Sequence, residues 1–271
     1  MAARIVNWSG LAAIGLAGGA LIMFGWDCAS AQAGGQTTVT AQAKPEVEVA
    51  PAAPKLPAVL RQDAAFARFI ALIRGHLLTG DELVGKRRWD AAVPHFRFPT
   101  EEIYGIIRED VRVYKTSPFD GALKVLARTV KARGVKHYPK ARQKVEDALA
   151  AADAGLKARQ PNWPRFVTEV AVEVLKTAPD EYDDAIVKGR IVRPIGYQTA
   201  RGFILQAERM FESVAGEFAG DNAIPFAEIR AGFAQLKQVF ANVNAPKQAI
   251  IDYSAVVGIV SRIELAAGKL T

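Results

Sequence analysis

Apolar residues recur at three- and four-residue spacings along most of the chain beyond residue 58. Phe66, Phe69, Ile70, Ile73 and Leu77, for example, fall on one stripe of a helix. No stretch alternates apolar and polar residues over enough positions to indicate a sheet. The pattern therefore predicts an all-α fold, an antiparallel helical bundle that forms a single all-helical domain over residues 58–271.

Proline, glycine and capping residues mark where these helices are expected to begin and end. Ser117, Pro118 and Asp120 predict a helix start, and Gly134 predicts that this helix ends in the left-handed conformation. Several of the other predicted helices open at or near a proline. They cover residues 138–160, 164–176, 195–218, 225–242 and 246–268.

The first 31 residues do not follow this pattern. A short start containing Arg4 precedes an uncharged run rich in Ala, Gly and Leu over residues 10–25, followed by small-x-small tripeptides. We interpret residues 1–31 as a signal peptide, cleaved after Ala31 or Ala33, that exports the protein to the bacterial periplasm. The alternative is an uncleaved membrane anchor, because residues 8–26 are just long enough to span a bilayer.

Residues 32–57 carry four prolines among Ala, Thr and Val and almost no large apolar side chain. Such a segment cannot offset the entropy lost on ordering, so we expect a flexible linker rich in Pro and Ala. Cleavage of the signal would remove Cys28, the only cysteine, and would leave no membrane span. The net charge of +7 arises from basic residues interleaved with acids, which does not indicate a nucleic-acid partner.

The sequence contains no recognisable catalytic signature. Nucleotide-binding, covalent c-type haem and α/β-hydrolase motifs are absent, and three histidines without a mature cysteine leave few nucleophile–base pairs. We therefore expect a protein that is not an enzyme.

A glycine, an alanine and an aromatic ring stand at informative spacings near residue 85. Ala92 follows Gly80 by twelve residues and Phe96 follows it by sixteen, which resembles one tetratricopeptide hairpin over about residues 73–100. Small residues let two antiparallel helices approach while the ring fills the wedge between them. No second copy follows, so we expect one hairpin inside a bundle, with Pro94 bending or delaying its second helix.

Two of the three histidines lie in this hairpin. His95 shares a helix face with Ala92 and Phe96, and His76 precedes Gly80 by one turn, so the two imidazoles are expected to approach each other. Glu101 and Glu102 follow and would complete a mixed His/carboxylate metal site suited to iron or zinc. The alternative is that both histidines are hydrogen-bonded packing residues, since two dispersed histidines carry little specificity.

A second hairpin is predicted around Gly189. Tyr182, Gly189, Tyr197 and Phe203 stand in the register of the helical periplasmic segment of bacterial Ftr-type iron permeases, which residues 166–211 resemble. The resemblance implies a helical hairpin connected with iron. Gly196 stands where that family has a glutamate, so any acid that serves a metal there is missing from this chain.

Two functions follow from these observations. The first is an exported periplasmic helical bundle that is accessory to the handling of metal, in particular iron, in the cell envelope, with an envelope protein as its partner. The second is a periplasmic scaffold that binds proteins and holds no ligand.

Overall fold

The structure is a computed structural model that describes residues 61–218 and 222–270. The predicted signal peptide and linker, residues 1–57, lie outside the described residues, and both stay predictions. All of the described residues belong to one compact unit.

Ten α-helices dominate the described residues, which confirms the all-α prediction. They are α1 (Gln62–Gly85), α2 (Trp89–Phe98), α3 (Tyr104–Ile107), α4 (Asp120–Lys131), α5 (Tyr138–Lys157), α6 (Trp163–Leu175), α7 (Ala178–Ala185), α8 (Pro194–Val214), α9 (Ala223–Val239) and α10 (Tyr253–Ala267). A π-helical turn (Pro99–Ile103) joins α2 to α3, and a 3-10 turn (Ala215–Glu217) follows α8. None of the helices in the described ranges combines the length and apolarity needed to cross a bilayer.

The longest helix, α1, lies at the centre of the bundle. The predicted stripe that includes Ile70, Ile73 and Leu77 is buried, but so are residues on its other faces, such as Leu72 and His76. A helix buried on several faces is surrounded by other helices. Accordingly, α1 packs against α8, α2, α6 and α5.

The sequence places the start of the last helix too early. Pro246 is expected to open it, whereas α10 begins at Tyr253 behind Asp252, whose carboxylate accepts a hydrogen bond of 2.8 Å from the amide of Ala255. The residues between α9 and α10 instead run as an extended segment. Their main chain is used by other elements, since the Ile251 carbonyl accepts a hydrogen bond from the Tyr182 hydroxyl. Long-range contacts of this kind override local helix signals.

The predicted left-handed end of α4 is also displaced by one residue. Arg133, and not Gly134, has the positive φ angle, of 52°. The Gly134 amide then donates a hydrogen bond to the Thr129 carbonyl. The chain therefore ends the helix as expected but assigns the strained position to an arginine.

A two-stranded hairpin interrupts the helices after α7. Strands β1 (Ile186–Val187) and β2 (Arg190–Ile191) pair in antiparallel register around Lys188 and Gly189, whose φ angles are 51° and 72°. Two consecutive positive φ angles are the conformation of a type I′ hairpin turn. Helix α7 therefore ends at Ala185, and Gly189 supplies the turn.

Helices α1 and α8 cross at two facing glycines. A Cβ atom added to Gly202 would lie 2.3 Å from the carbonyl oxygen of Gly75 and 2.6 Å from the hydroxyl of Thr79. That hydroxyl donates a hydrogen bond of 3.0 Å to the backbone carbonyl of Gln198. Backbone-to-backbone contact of this kind leaves room for hydrogen only, so the crossing requires glycine.

Helices α1 and α2 approach in the way that the spacing of Gly80, Ala92 and Phe96 predicts. A Cβ atom on Gly80 would lie 2.5 Å from the Phe96 ring, which is fully buried, as is Ala92. Pro94 lies within α2 and does not end it. The likeness to a tetratricopeptide repeat beyond this one packing feature stays a prediction.

We expect Gly202→Ala to lower the free energy of unfolding by about 1–3 kcal/mol, because the added methyl group overpacks the crossing of α1 and α8. Urea unfolding measured by circular dichroism tests this. Gly258→Ala is the matched control, since Gly258 lies within α10 and its Cβ would meet only one arginine nitrogen at 3.8 Å. This control should be neutral or stabilising by up to about 1 kcal/mol. Equal effects at the two positions would contradict the role given to the crossing.

Candidate functional site

The two histidines of the predicted site meet where α1, α2 and α8 come together. The Nδ1 atoms of His76 and His95 are 3.4 Å apart, and their ring centroids are 5.7 Å apart. His95 is fully buried, and His76 is 5% exposed. The close approach of α1 and α2 at Gly80 places the rings together, and Phe203 of α8 covers His76 edge-on with a centroid distance of 5.2 Å.

The hydrogen bonds around these histidines have only one consistent direction. The Gln198 amide nitrogen donates to the carbonyl of Val243 at 3.0 Å, so the amide oxygen is left to accept from Nε2–H of His95 at 3.1 Å. In neutral His95 the Nδ1 atom then carries a lone pair and accepts from Nδ1–H of His76. A backbone carbonyl thus fixes the tautomer of both imidazoles through Gln198. We call these four residues the histidine chain.

Both imidazoles are held in the neutral form. Burial lowers the pKa of His95 to about 4, against a smaller opposing effect of its hydrogen bond with Gln198. Burial and the neighbouring His95 lower the pKa of His76 well below 6.5. A proton on either ring would place an unpaired charge in the core and would break the direction of the chain.

The two glutamates of the predicted metal site do not join the histidines. Glu101 is exposed and binds Arg97 through both carboxylate oxygens, at 3.0 and 2.8 Å, which lowers its pKa. Glu102 is also exposed, and its pKa is raised by partial burial and by the charge of Glu101. The π-helical turn that begins at Pro99 carries both glutamates on the surface, while the imidazoles face the core.

This arrangement does not fit the ligand set predicted from the sequence. Two nitrogens 3.4 Å apart are near enough to share an ion with bonds of about 2 Å, but protein zinc sites use three or four protein ligands. No group of three or more His, Cys, Asp or Glu side chains suited to a metal occurs in the part of the chain that the structure describes. The hydrogen bonds of the histidine chain instead use three of the four ring nitrogens, all except Nε2 of His76.

The second predicted hairpin holds an aromatic cluster. Tyr182 and Tyr197 are buried, and their hydroxyls donate to the carbonyls of Ile251 and Val239, at 2.8 and 3.3 Å. Phe240 lies between the two rings, with centroid distances of 5.0 and 5.2 Å. Tyr182 thus holds the segment before α10, and Tyr197 holds the end of α9. Phe203, the third aromatic residue of the pattern, packs against His76.

The packing of α7 against α8 explains why position 196 is a glycine. A Cβ atom there would lie 2.6 Å from the carbonyl oxygen of Glu181 and 3.2 Å from Cβ of Ala185, so α7 and α8 touch at this position. The carboxyl group of Glu181 is close to Asp184, Asp180 and Glu102. Burial first, and these charges second, raise its pKa to about 7. Acidic charge is therefore present beside α8, but on α7 and the π-helical turn.

The helices after α5 form a unit that can be compared with known proteins. Helices α6 and α8 pack together, α9 packs on α10, and α10 contacts α6 and α7. Residues 157–271 match the family model of the iron permease-associated 4-helix bundle domain. This confirms the resemblance predicted for residues 166–211, which covers most of α6, α7 and α8, and extends it to α9 and α10. The comparisons with curated proteins and with solved structures returned no match.

Gln198, whose side chain bonds to His95, lies in the part of the chain that matches the iron permease-associated domain. Its carbonyl partner Val243 lies in the same domain, whereas both histidines precede it. Nothing in the sequence pattern marks Gln198, because a glutamine on a helix is ordinarily exposed. Its place eight residues before Gln206, another buried glutamine, is visible only once the buried face of α8 is known.

We expect the protein to lose stability as the pH is lowered from about 6.5 to about 4. The unfolded chain binds protons on its histidines in that interval, whereas folded His95 with a pKa of about 4 does not. The shift corresponds to about 3 kcal/mol at full effect. His95→Gln keeps a hydrogen-bonding side chain without a titrating group, so its free energy of unfolding should depend less on pH.

Urea unfolding at several pH values measures this dependence. His137→Gln is the control, because His137 is exposed and should leave the pH dependence unchanged. Carboxylates that titrate in the same interval are common to all three proteins. A curve for His95→Gln parallel to that of the unmodified chain would contradict the assignment.

We expect Gly196→Glu, which introduces the acid found in the Ftr-type pattern, to lower the free energy of unfolding by about 3 kcal/mol. The side chain cannot fit against the Glu181 carbonyl, and its charge adds to the acids around Glu181. Thermal and urea unfolding provide the measurement. Gly216→Glu adds the same charge where no atom lies within 4 Å of the new Cβ, and should have little effect. Tolerance of Gly196→Glu would show that α7 and α8 are not locked at this contact.

Proposed function

We propose that the protein is an exported, non-enzymatic accessory protein of an iron-uptake permease in the bacterial cell envelope. The observation that carries the proposal is the match of residues 157–271 to the iron permease-associated 4-helix bundle domain. The signal peptide predicted for residues 1–31 supports export. A domain of a type associated with a membrane permease fits an envelope protein as its partner.

The histidine chain supports a role in which the protein contacts other proteins rather than one in which these imidazoles hold the metal. The Nδ1 atoms of His76 and His95 and the Nε2 atom of His95 are already engaged in hydrogen bonds, and His95 is fully buried. Iron, as the cargo of the permease, would then be bound elsewhere in the assembly. We assign to this chain the contact with the permease.

The hairpin of β1 and β2 offers a surface for that contact. Val187, Val192 and Ile250 are 50%, 51% and 58% exposed. They are gathered at one place because β2 pairs with the segment before α10, through a bridge between Arg190 and Gln248. Exposed apolar residues surrounded by charges are typical of protein contacts. We call these three residues the hairpin patch.

The second candidate function is a periplasmic scaffold that binds another envelope protein and has no connection with iron. The observation that favours it is the same hairpin patch, because an apolar surface does not specify the identity of its partner. The two candidates differ in what they predict for iron transport and for the protein that is captured.

Under iron limitation, we expect a strain of the source bacterium that lacks the protein to take up less radioactive iron. We also expect the tagged protein to capture the iron permease after crosslinking. Val187→Glu combined with Val192→Glu should abolish capture and uptake together, because charge is introduced into the hairpin patch. Val135→Glu is the control, since Val135 is 66% exposed and belongs to the loop before α5.

Normal iron uptake without the protein would reject the first candidate. Reproducible capture of a different envelope protein, sensitive to the same pair of substitutions, would then establish the scaffold. Circular dichroism of each variant checks that the fold is retained.

A further inference from the structure

The described residues contain a cleft that neither the histidine chain nor the hairpin patch uses. It has a volume of about 450 Å³ and is lined by residues of α1, α5, α6 and α8 alone. Small-molecule sites in proteins usually lie between about 300 and 1,000 Å³. The cleft therefore has the size of a binding site for a small molecule.

Three helices present a continuous face to this cleft. The lining residues of each stand at spacings of three and four, the pattern of neighbours on one helical face. Apolar side chains predominate on α1 and α6, where Ile70, Trp163 and Phe166 contribute. Helix α8 adds a mixed face of Gln206, Arg209, Met210 and Ser213.

Ion pairs border the cleft on its fourth side, which is formed by α5. Helix α5 is tied to α1 by ion pairs, from Arg74 to Asp153 at 2.9 Å and to Glu146 at 3.1 Å. Arg142 of α5 likewise binds Asp81 of α1 at 3.0 Å. Long charged side chains hold two helices further apart than apolar contact would. The walls on α6 and α8 therefore stay uncovered by α5.

One wall carries a polar group that the fold leaves without a partner. Gln206 is 7% exposed and lines the cleft, yet its amide forms no hydrogen bond within the described ranges. The amide atoms reach the solvent of the cleft, since among the described residues the Thr168 hydroxyl alone is both fully buried and unpaired. A bound molecule can therefore replace water as the partner of the Gln206 amide. The amide faces the cleft and can both donate and accept.

The charges of the lining identify the sign of the ligand. Three arginines and two carboxylates line the cleft. Arg74 and Arg142 are paired with the carboxylates, whereas Arg209 has no ion pair or hydrogen bond in the described part of the chain. Arg209 lies three residues after Gln206, on the same face of α8. The two side chains together offer donors for both oxygens of one carboxylate.

We propose that this cleft binds a small amphipathic molecule with an apolar body and a single carboxylate group. The carboxylate accepts hydrogen bonds from Gln206 and Arg209, and the apolar body lies along α1 and α6 against Trp163 and Phe166. The single negative charge matches Arg209, which among the three arginines that line the cleft is the one without an ion pair in the described residues. The proposal is independent of the connection with iron uptake.

Titration of the full chain with dodecanoate, below its micelle concentration, tests the proposal by calorimetry. We expect saturable binding of one molecule per chain. Dodecyltrimethylammonium has the same apolar body with the opposite charge and should bind at least tenfold more weakly. No binding of dodecanoate, or equal binding of the cation, would overturn the proposal.

Substitutions locate the site. Arg209→Gln and Gln206→Leu should each weaken dodecanoate binding about tenfold, as expected for one charge-assisted or one ordinary buried hydrogen bond. Arg108→Gln is the matched control, because Arg108 is also exposed and forms no ion pair in the described residues, but belongs to the turn after α3. Unchanged affinity in both cleft variants, or an equal loss in the control, would overturn the assignment.

The melting temperature of Gln206→Leu is a second measurement, which distinguishes a ligand-binding role of this amide from a role in stabilising the fold. Because this amide forms no hydrogen bond within the described residues, its removal should weaken binding without lowering the melting temperature of the free protein. A lower melting temperature would show that the amide stabilises the fold and would contradict its assignment as a ligand group. Binding should also change the fluorescence of Trp163, because the apolar body lies against α6. In Trp163→Phe this change should be lost, while calorimetry should still detect binding.

Discussion

The contact between Gly75 and Gly202 is the constraint on which the rest of the fold depends. Here α1 and α8 approach until a single carbon atom would collide with the opposing backbone, 2.3 Å from a carbonyl oxygen. Such proximity aligns the two helices more rigidly than interlocking side chains would, since no rotamer can adjust it. The Thr79 hydroxyl then bonds to the carbonyl of Gln198 one turn away. This bond fixes the position of α8 along α1.

The histidine chain follows from that alignment. Gln198 stands one turn before Gly202, and His76 is adjacent to Gly75, so setting the two glycines against each other also brings the imidazoles near the glutamine amide. Burial makes the charged imidazole unfavourable, and the carbonyl of Val243 leaves only one direction for the hydrogen bonds. The same neutral pair would be a poor start for a metal site, because the chain supplies no further ligand among the described residues. Packing and chemistry thus both favour a neutral, hydrogen-bonded histidine pair over a metal site.

The sequence predicts those features that depend on local spacing. The helical class, most helices between α4 and α9, the approach of Gly80 to Phe96 and the meeting of the two histidines all follow from periods of three and four residues. Features that depend on distant residues cannot be predicted in this way. Helix α10 starts late because Tyr182 and the hairpin use the preceding main chain, and Glu101 turns outward because a π-helical turn intervenes at Pro99. Gln198 and Gln206 look alike in the sequence, and only the fold shows that one is satisfied and the other is not.

The histidine chain and the cleft both combine residues from the two sides of one boundary, the start of the part that matches the iron permease-associated domain. The part that matches the iron permease-associated domain begins at residue 157, the last residue of α5, yet α1 packs against α6 and α8 within it. Gln198 in the matched part orders two histidines that lie before it, and Gln206 and Arg209 face a cleft that α1 and α5 complete. A four-helix bundle without α1 would expose the glycine face of α8 and both of these glutamines to water. The N-terminal helices therefore do more than extend the domain, because they bury Gln198 beside the two histidines and form two walls of the cleft that Gln206 and Arg209 line.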